Sequence, residues 1–504
     1  MTGVRRAFLM NTAERYSVLA VQFLIITVVS RLLTPAEIGI SVVGSGIMTM
    51  ALSLREFATS EFLVQRKEVT RDDVRTSFTV LLLLNLLISG GLFVLTPWVA
   101  GFYGEDALAR FLHVTIAACL IETVVLPVTA LLRRNMAFGT LATINAAAAI
   151  VGALVSVTLA ALGFSYMSFA WALLASSTTT TVLSLCFRPD FWIFRPSLRA
   201  WRSALAFGGF NGATIVLTRV YDALPQLVLG RFLPLATVGL YNRAVMICGI
   251  ADRVILSGVF SVAYPAFAGE VRKGSNLKDA YLQGLGYITV LYWPAFVVLG
   301  LLAQPIVTLL LGDQWLDIVP LVRIISAASV FWFPVILTYP VLVSLGAIRD
   351  NLMAKLVSVV VCGPILCLAS MFGLVAMALS QFLTLPFQMI VALWFVRRHV
   401  PFQWKEIPAA IGRSAAVTVF SAIGPAGVIA SARTFDISIG AALFAGGLAA
   451  LGWGAGLLVT HHPFAKEIRT VGEGARRSAL ACRMMSMWSS PTRHTQPAKM
   501  GESP

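Results

Sequence analysis

Long apolar runs alternate with short polar phrases along almost the whole chain. From "YSVLAVQFLIITVVS" at Tyr16 to "IGAALFAGGLAALGWGAGLLV" at Ile439, apolar stretches of roughly 17 to 25 residues recur about fourteen times, each long enough to cross a hydrocarbon core of about 30 Å as helix. The pattern predicts an all-α integral membrane protein with about 14 transmembrane helices. The polar phrases are the places where such helices end, and one is written twice. "RLLTPAEIG" (Arg31 to Gly39) returns as "RFLPLATVG" (Arg231 to Gly239), with Arg31 and Arg231, Ala36 and Ala236, and Gly39 and Gly239 each 200 residues apart.

Other landmarks recur in the same order. Asn11 pairs with Asn211 at 200. "TPWVAGFYGED" (Thr96 to Asp106) resembles "QPIVTLLLGDQ" (Gln304 to Gln314), matching Pro97 with Pro305 and Gly104 with Gly312 at 208. "LRRNMAF" near Arg134 resembles "AIRDNLM" near Arg349 at 215, and "GFSYMSFA" at Gly163 resembles "GLVAMALS" at Gly373 at 210. This order predicts a duplication: an N-terminal six-helix bundle (1–190), a C-terminal six-helix bundle (200–400), two extra helices (405–462) and a disordered basic cytoplasmic tail (463–504). Six is even, so the halves share one orientation, with an axis along the membrane normal and a cavity between them.

Composition agrees: 58% of residues are apolar and 12% charged, against about a quarter charged in soluble domains. The net charge of +15 would suggest nucleic acid in a soluble protein. Its placement decides otherwise, because alternate loops hold 30 of the 38 Lys and Arg, and the positive-inside rule then sets both termini in the cytoplasm. The N-terminal run has spanning length and no clear small-residue cleavage site, so it is read as a retained first helix. The six cysteines, Cys119, Cys186, Cys248, Cys362, Cys367 and Cys482, show no paired spacing, and suggest neither a disulfide framework nor a metal site. "RDD" (Arg71 to Asp73) lacks any nucleotide-binding domain beside it and is read as a solvated loop.

With the exit "RLLTPAEIG", the loop "REFATSEFLVQRKE" (Arg55 to Glu68) and twelve helices in two halves plus a terminal pair, residues 5 to 460 resemble bacterial polysaccharide flippases of the Wzx type. These belong to the multidrug, oligosaccharidyl-lipid and polysaccharide exporter superfamily. The resemblance implies an inner-membrane transporter and not an enzyme. Its cargo would be an undecaprenyl-pyrophosphate-linked oligosaccharide, moved to the periplasmic leaflet without ATP hydrolysis, for exopolysaccharide, O-antigen or capsule biosynthesis. Partners would be membrane lipid and, beyond it, polysaccharide polymerase and chain-length or export proteins. The family lines its cavity with cationic and polar residues in no fixed motif, so the site must come from spacing.

An ionised side chain at mid-membrane costs roughly 2.5 to 3.5 kcal/mol on insertion scales and normally faces water or a partner. Asn211, Arg219, Asp222 and Gln226 fall within about 80° of one another on a helix, and Asn11, Arg15 and Gln22 within about 40°. As substrate-binding residues, Arg15 and Arg219 would face each other and hold a pyrophosphate or acidic sugar. The bland reading makes Arg219 with Asp222, and Glu14 with Arg15, local ion pairs, or lets Arg15 snorkel to the surface. Asp222, Glu14 and Glu122 are the candidates for H+ or Na+ coupling, since a buried carboxylate can carry a proton; a packing hydrogen bond is the other reading of Glu122. No cofactor or metal is called for. A cation-coupled multidrug or small-molecule antiporter of the same superfamily is the competing function, but its site should favour acidic and aromatic residues.

Overall fold

The computed structural model describes residues 25–55, 69–199, 209–273 and 276–467, and among them the regular structure is helical. The first described helix, α1, ends at residue 32. The N-terminal half continues with α2 (Pro35–Ser53), α3 (Arg71–Tyr103), α4 (Ala107–Arg134), α5 (Phe138–Ala161) and α6 (Met167–Phe187). Later in the chain come α7 (Gly209–Phe232), α8 (Leu235–Lys273), α9 (Leu277–Leu301), short α10 (Ala303–Leu310), α11 (Val319–Ser329), α12 (Phe333–Ser344), α13 (Ile348–Met371), α14 (Leu374–Leu379) and α15 (Gln381–Arg397). A hairpin of α16 (Glu406–Ala432) and α17 (Ile439–Val459) follows.

Eleven segments among the described residues are long and apolar enough to cross a membrane. α7 and α8 are not among them, although their 24 and 39 residues are of crossing length. The chain is a multi-pass membrane protein. Large apolar side chains point outward, as a lipid environment permits: Leu87, Val94, Phe372 and Leu451 are each more than 70% exposed.

The helix starts follow local chemistry. In "TPAE" the Thr34 side chain accepts from the Glu37 N–H while Glu37 accepts from the Thr34 N–H at 2.7 Å, and Pro35 occupies the first turn. "TRDD" is a second such box: Thr70 and Asp73 cap α3 reciprocally. The Arg71–Asp73 triplet is thus a helix start and not a solvated loop. Gly104 and Gly312, matched in the sequence, both adopt positive φ (68° and 96°) after a helix end, which explains why glycine recurs there.

The exits "RLLTPAEIG" and "RFLPLATVG" meet each other. A Cβ on Gly39 would stand 1.8 Å from the Leu235 carbonyl oxygen, and one on Gly239 would stand 2.1 Å from the Pro35 oxygen. Pro35 and Leu235 are themselves 200 residues apart, so the contact is reciprocal. It brings α2 against α8, and α2 packs on α7 as well. Around this crossing, Arg31 Nη2 donates to the Leu309 carbonyl (2.7 Å), Trp315 Nε1 donates to the Ser30 carbonyl (2.8 Å), and the Tyr103 hydroxyl donates to the Leu227 carbonyl (3.2 Å). Arg231 lies over the Phe102 ring at 4.8 Å. The main apolar core accordingly runs across both halves, from Val29, Ile38 and Val43 to Tyr292, Trp315 and Phe402. α16 lies on α9, and α17 lies mainly on α16.

Candidate functional site

Below the Gly39–Gly239 crossing, a cavity of about 540 Å³ opens between α2, α7 and α8. α2 lines it with Ile38, Ser41, Val42, Ser45, Gly46 and Thr49, positions recurring at three and four residues and so sharing one helix face. α7 contributes Arg219, Asp222, Ala223 and Gln226, α8 contributes Asn242, Arg243 and Arg253, and Phe169 of α6 closes one edge. Pro225, inside α7, has no N–H to donate to the Tyr221 carbonyl four residues before it.

Three guanidinium groups face one carboxylate in this lining. Arg219 and Asp222 are both exposed to the space between the helices and act on each other electrostatically. Lys355 of α13 also acts on Asp222 electrostatically, with its ammonium 5.0 Å from the Tyr221 ring centre, and Tyr221 accepts from Gln388 Nε2 at 3.1 Å. Asp222 is therefore a carboxylate under the electrostatic influence of two cations.

Arg243 is different. It is 6% exposed, its Nη1 donates to the Met246 sulfur at 3.2 Å, and it stacks over Trp315 at 5.8 Å. Its Nε is buried with no hydrogen-bond partner among the described residues. A guanidinium held this way pays desolvation without a matching anion. The site offers planar, charge-assisted donors to an anion entering the cavity.

Of the residues expected from spacing, the structure brings Arg219, Asp222 and Gln226 together on one wall. Asn211 belongs to α7, but its side chain lies outside the described set, and Asn11, Glu14, Arg15 and Gln22 lie outside the described residues altogether. Glu122 does not line the cavity. It pairs with Arg55 at 3.8 Å, next to a buried group in which Asn85 Nδ2 donates to the Cys119 carbonyl (3.2 Å) and to Thr123 Oγ1. Sequence reasoning passed over Asn242, Arg243, Arg253 and Lys355. The available signal was the polar doublets in "YNRAVMICGIADR" (Tyr241 to Arg253), which interrupt an apolar run and so mark a wet or paired face.

Comparison with known proteins adds the following. Residues 28–320 match the family described as Polysaccharide biosynthesis protein. The chain is 26% identical to the succinoglycan biosynthesis transport protein ExoT of Rhizobium meliloti (strain 1021), covering 64% of this chain and 66% of that one. It is 22% identical to the lipopolysaccharide biosynthesis protein WzxC of Escherichia coli (strain K12), covering 60% and 62%. The chain spans between 56% and 66% of the length of the four curated relatives it matches here. Among solved structures, the lipid II flippase MurJ in its inward closed conformation superposes with a TM-score of 0.72 at 11% identity, covering 92% of this chain and 99% of that one. At that identity the likeness speaks for the fold alone.

Proposed function

The chain belongs to the family of polysaccharide biosynthesis proteins, and from that membership we infer that it translocates polyprenyl-diphosphate-linked oligosaccharide repeat units across the bacterial inner membrane. The observation that carries the reading is Arg243, a buried arginine that lines the cavity beside Arg219 and Arg253 and whose Nε has no hydrogen-bond partner among the described residues. A diphosphate in the cavity supplies acceptors and compensating charge to this cationic lining. Arg219 and Arg253 widen the attraction, and the hydroxyls of Ser41, Ser45 and Thr49 on the facing helix suit the polar surface of a sugar. The polyprenyl tail stays in the bilayer. No bond is made or broken in the cargo; the work is a change of side.

The reciprocal Gly39–Gly239 crossing, with the Arg31, Trp315 and Tyr103 bonds around it, acts as the closed gate at the helix-exit end. With both termini cytoplasmic, that end is periplasmic, and the two halves, related by an axis along the membrane normal, rock against each other to open it. A drug cation is disfavoured in this cavity because three arginines line it against one aspartate. The repeat units would then pass to a polysaccharide polymerase and to chain-length and export proteins.

The test is mass spectrometry of polyprenyl-linked sugars in cells lacking the protein, with leaflet assigned by access of a glycosidase added from the periplasmic side. Accumulation of complete, protected repeat units is expected. A normal pool together with raised sensitivity to cationic drugs overturns the reading in favour of an antiporter.

A further inference from the structure

Three carboxylates of the described residues lie within long helices close to the polar clusters, and cations act on two of them. Asp222 has Arg219 and Lys355, and Glu122 has Arg55 at 3.8 Å. The third, Asp252 of α8, has neither. Its Oδ1 accepts from the Tyr292 hydroxyl of α9 at 2.7 Å, and no cation stands within ion-pair distance of it among the described residues. Tyr292 is 1% exposed and lies nine residues, about 14 Å, from the end of α9, which sets the pair inside the hydrocarbon thickness. Asp252 itself is half-buried, and its neighbour Arg253 lines the cavity.

We propose that Asp252, held by Tyr292, is a proton site that loads from the cavity and couples protonation to the movement of α8. The idea rests on the transport reading above. A membrane carboxylate without a cation is favourable when neutral and costly when charged, so the site has two states of different polarity at the helix that carries both the gate glycine, Gly239, and the anion-facing Arg243. Protonation takes place at Oδ2, which makes no hydrogen bond among the described residues, and leaves the Tyr292 bond at Oδ1 in place. The proton returns to water when the site next opens. A metal cation fits less well: hard cations gather on the order of six oxygen ligands, whereas one carboxylate and one phenol stand here.

Among the described residues, the elements packed around Asp252 carry other titratable and charged groups. On α8 the nearby titratable groups are Cys248, which faces Ser326 and the Val322 carbonyl of α11, and Arg253, directed to the cavity. α9 presents Tyr292. α12 carries Tyr339 as its titratable group, half-exposed on that helix. α2 presents serine and threonine hydroxyls, and α7 holds Arg219 and Asp222 on the cavity wall. α11 carries Arg323, stacked over Phe435 at 4.1 Å, and the turn before it carries Asp313 and Asp317 at the exit end.

Infrared difference spectroscopy of the full chain in lipid vesicles, titrated from acid to alkaline buffer, tests the site without any cargo. A carbonyl band of a protonated carboxyl should vanish as the pH rises, be absent from Asp252→Asn, and shift in frequency in Tyr292→Phe, which removes one hydrogen bond. A titrating band identical in wild type and Asp252→Asn overturns the proposal, and so does a wild type with no titrating carboxyl. In vesicles loaded with polyprenyl-diphosphate-linked glycan, an imposed pH gradient should change the wild-type rate, with the whole of that response lost in Asp252→Asn. Retention of the response sinks the coupling. If the band titrates as expected but no glycan crosses, the transport reading fails while the proton site stands.

Discussion

α2 and α8 follow the same phrase, cross at the same glycine, and carry different chemistry. Gly39 and Gly239 each face the backbone of the other exit, yet where α2 has Val42, Val43, Leu52 and Ser53, α8 has Asn242, Arg243, Asp252 and Arg253 at positions 200 higher. Shape is shared and charge is not. The backbone contact needs both helices to be slim at one level, so the glycines are matched. An anion needs cations from one side only, and a second set facing the first would repel it when the cavity is empty. Among the described residues the cationic lining therefore belongs to the C-terminal half, and α2 answers with hydroxyls.

The shared part of the comparison breaks most easily. Gly39→Leu and Gly239→Leu should have matching effects, because each drives a side chain into the opposite carbonyl. Overpacking of this kind costs about 1–3 kcal/mol or more, so polysaccharide export should drop roughly ten- to a hundredfold at equal protein level, and cysteines placed beside the exits should become reactive to thiol reagents. Unequal effects would mean that the two glycines do not play one role.

The unshared part should break next. Arg243→Met should weaken binding of a polyprenyl diphosphate by roughly ten- to a hundredfold, from about 1.5–3 kcal/mol for a hydrogen bond to a charged group, while the melting temperature in detergent holds or rises because an unpartnered buried charge is gone. A loss of stability with unchanged binding would make Arg243 a structural residue. Arg219→Ala, at a more open position, should cost binding about tenfold. Ser45→Ala on α2 should stay within about 0.5 kcal/mol in both binding and stability.

Much of this was legible before any coordinates. Apolar runs of crossing length require helices because a lipid-exposed backbone must satisfy itself, and the polar stripe of Arg219, Asp222 and Gln226 followed from helical spacing. What the sequence hid was which partner each charge meets. Nothing in the sequence shows that Arg55, just past α2, closes on Glu122, or that Lys355 of α13 acts on Asp222. Arg243 and Asp252 sit in a run whose apolar majority outweighs them in any average. "RDD" looked like a loop because a capping box is made of loop-forming residues.

The smallest expected effect lies outside the membrane helices. After α17, the buried His462 accepts from the Phe464 N–H at Nδ1 (3.2 Å), which leaves Nε2–H to donate to Ser414 Oγ (3.2 Å); that hydroxyl in turn donates to the Gly286 carbonyl (3.1 Å). Burial pushes the His462 proton affinity below its ordinary value, and Arg413 adds to the shift. The folded state thus takes up a proton less readily than the unfolded chain. The contribution is complete above the unfolded pKa of about 6.5 and is lost as the pH falls through the lower folded value. Melting curves should show a modest decline on acidification over that window, flattened in His462→Gln. An unchanged slope in that variant would assign the decline to other groups.

The most direct test of the central claim is translocation by the purified chain in lipid vesicles. A polyprenyl-diphosphate-linked oligosaccharide is placed in both leaflets, and the fraction reached by an external glycosidase is followed with time. The account predicts that the protected fraction empties with wild-type protein and persists with Arg243→Met or Gly39→Leu. Protection that persists with wild type, or empties equally with Arg243→Met, would contradict it.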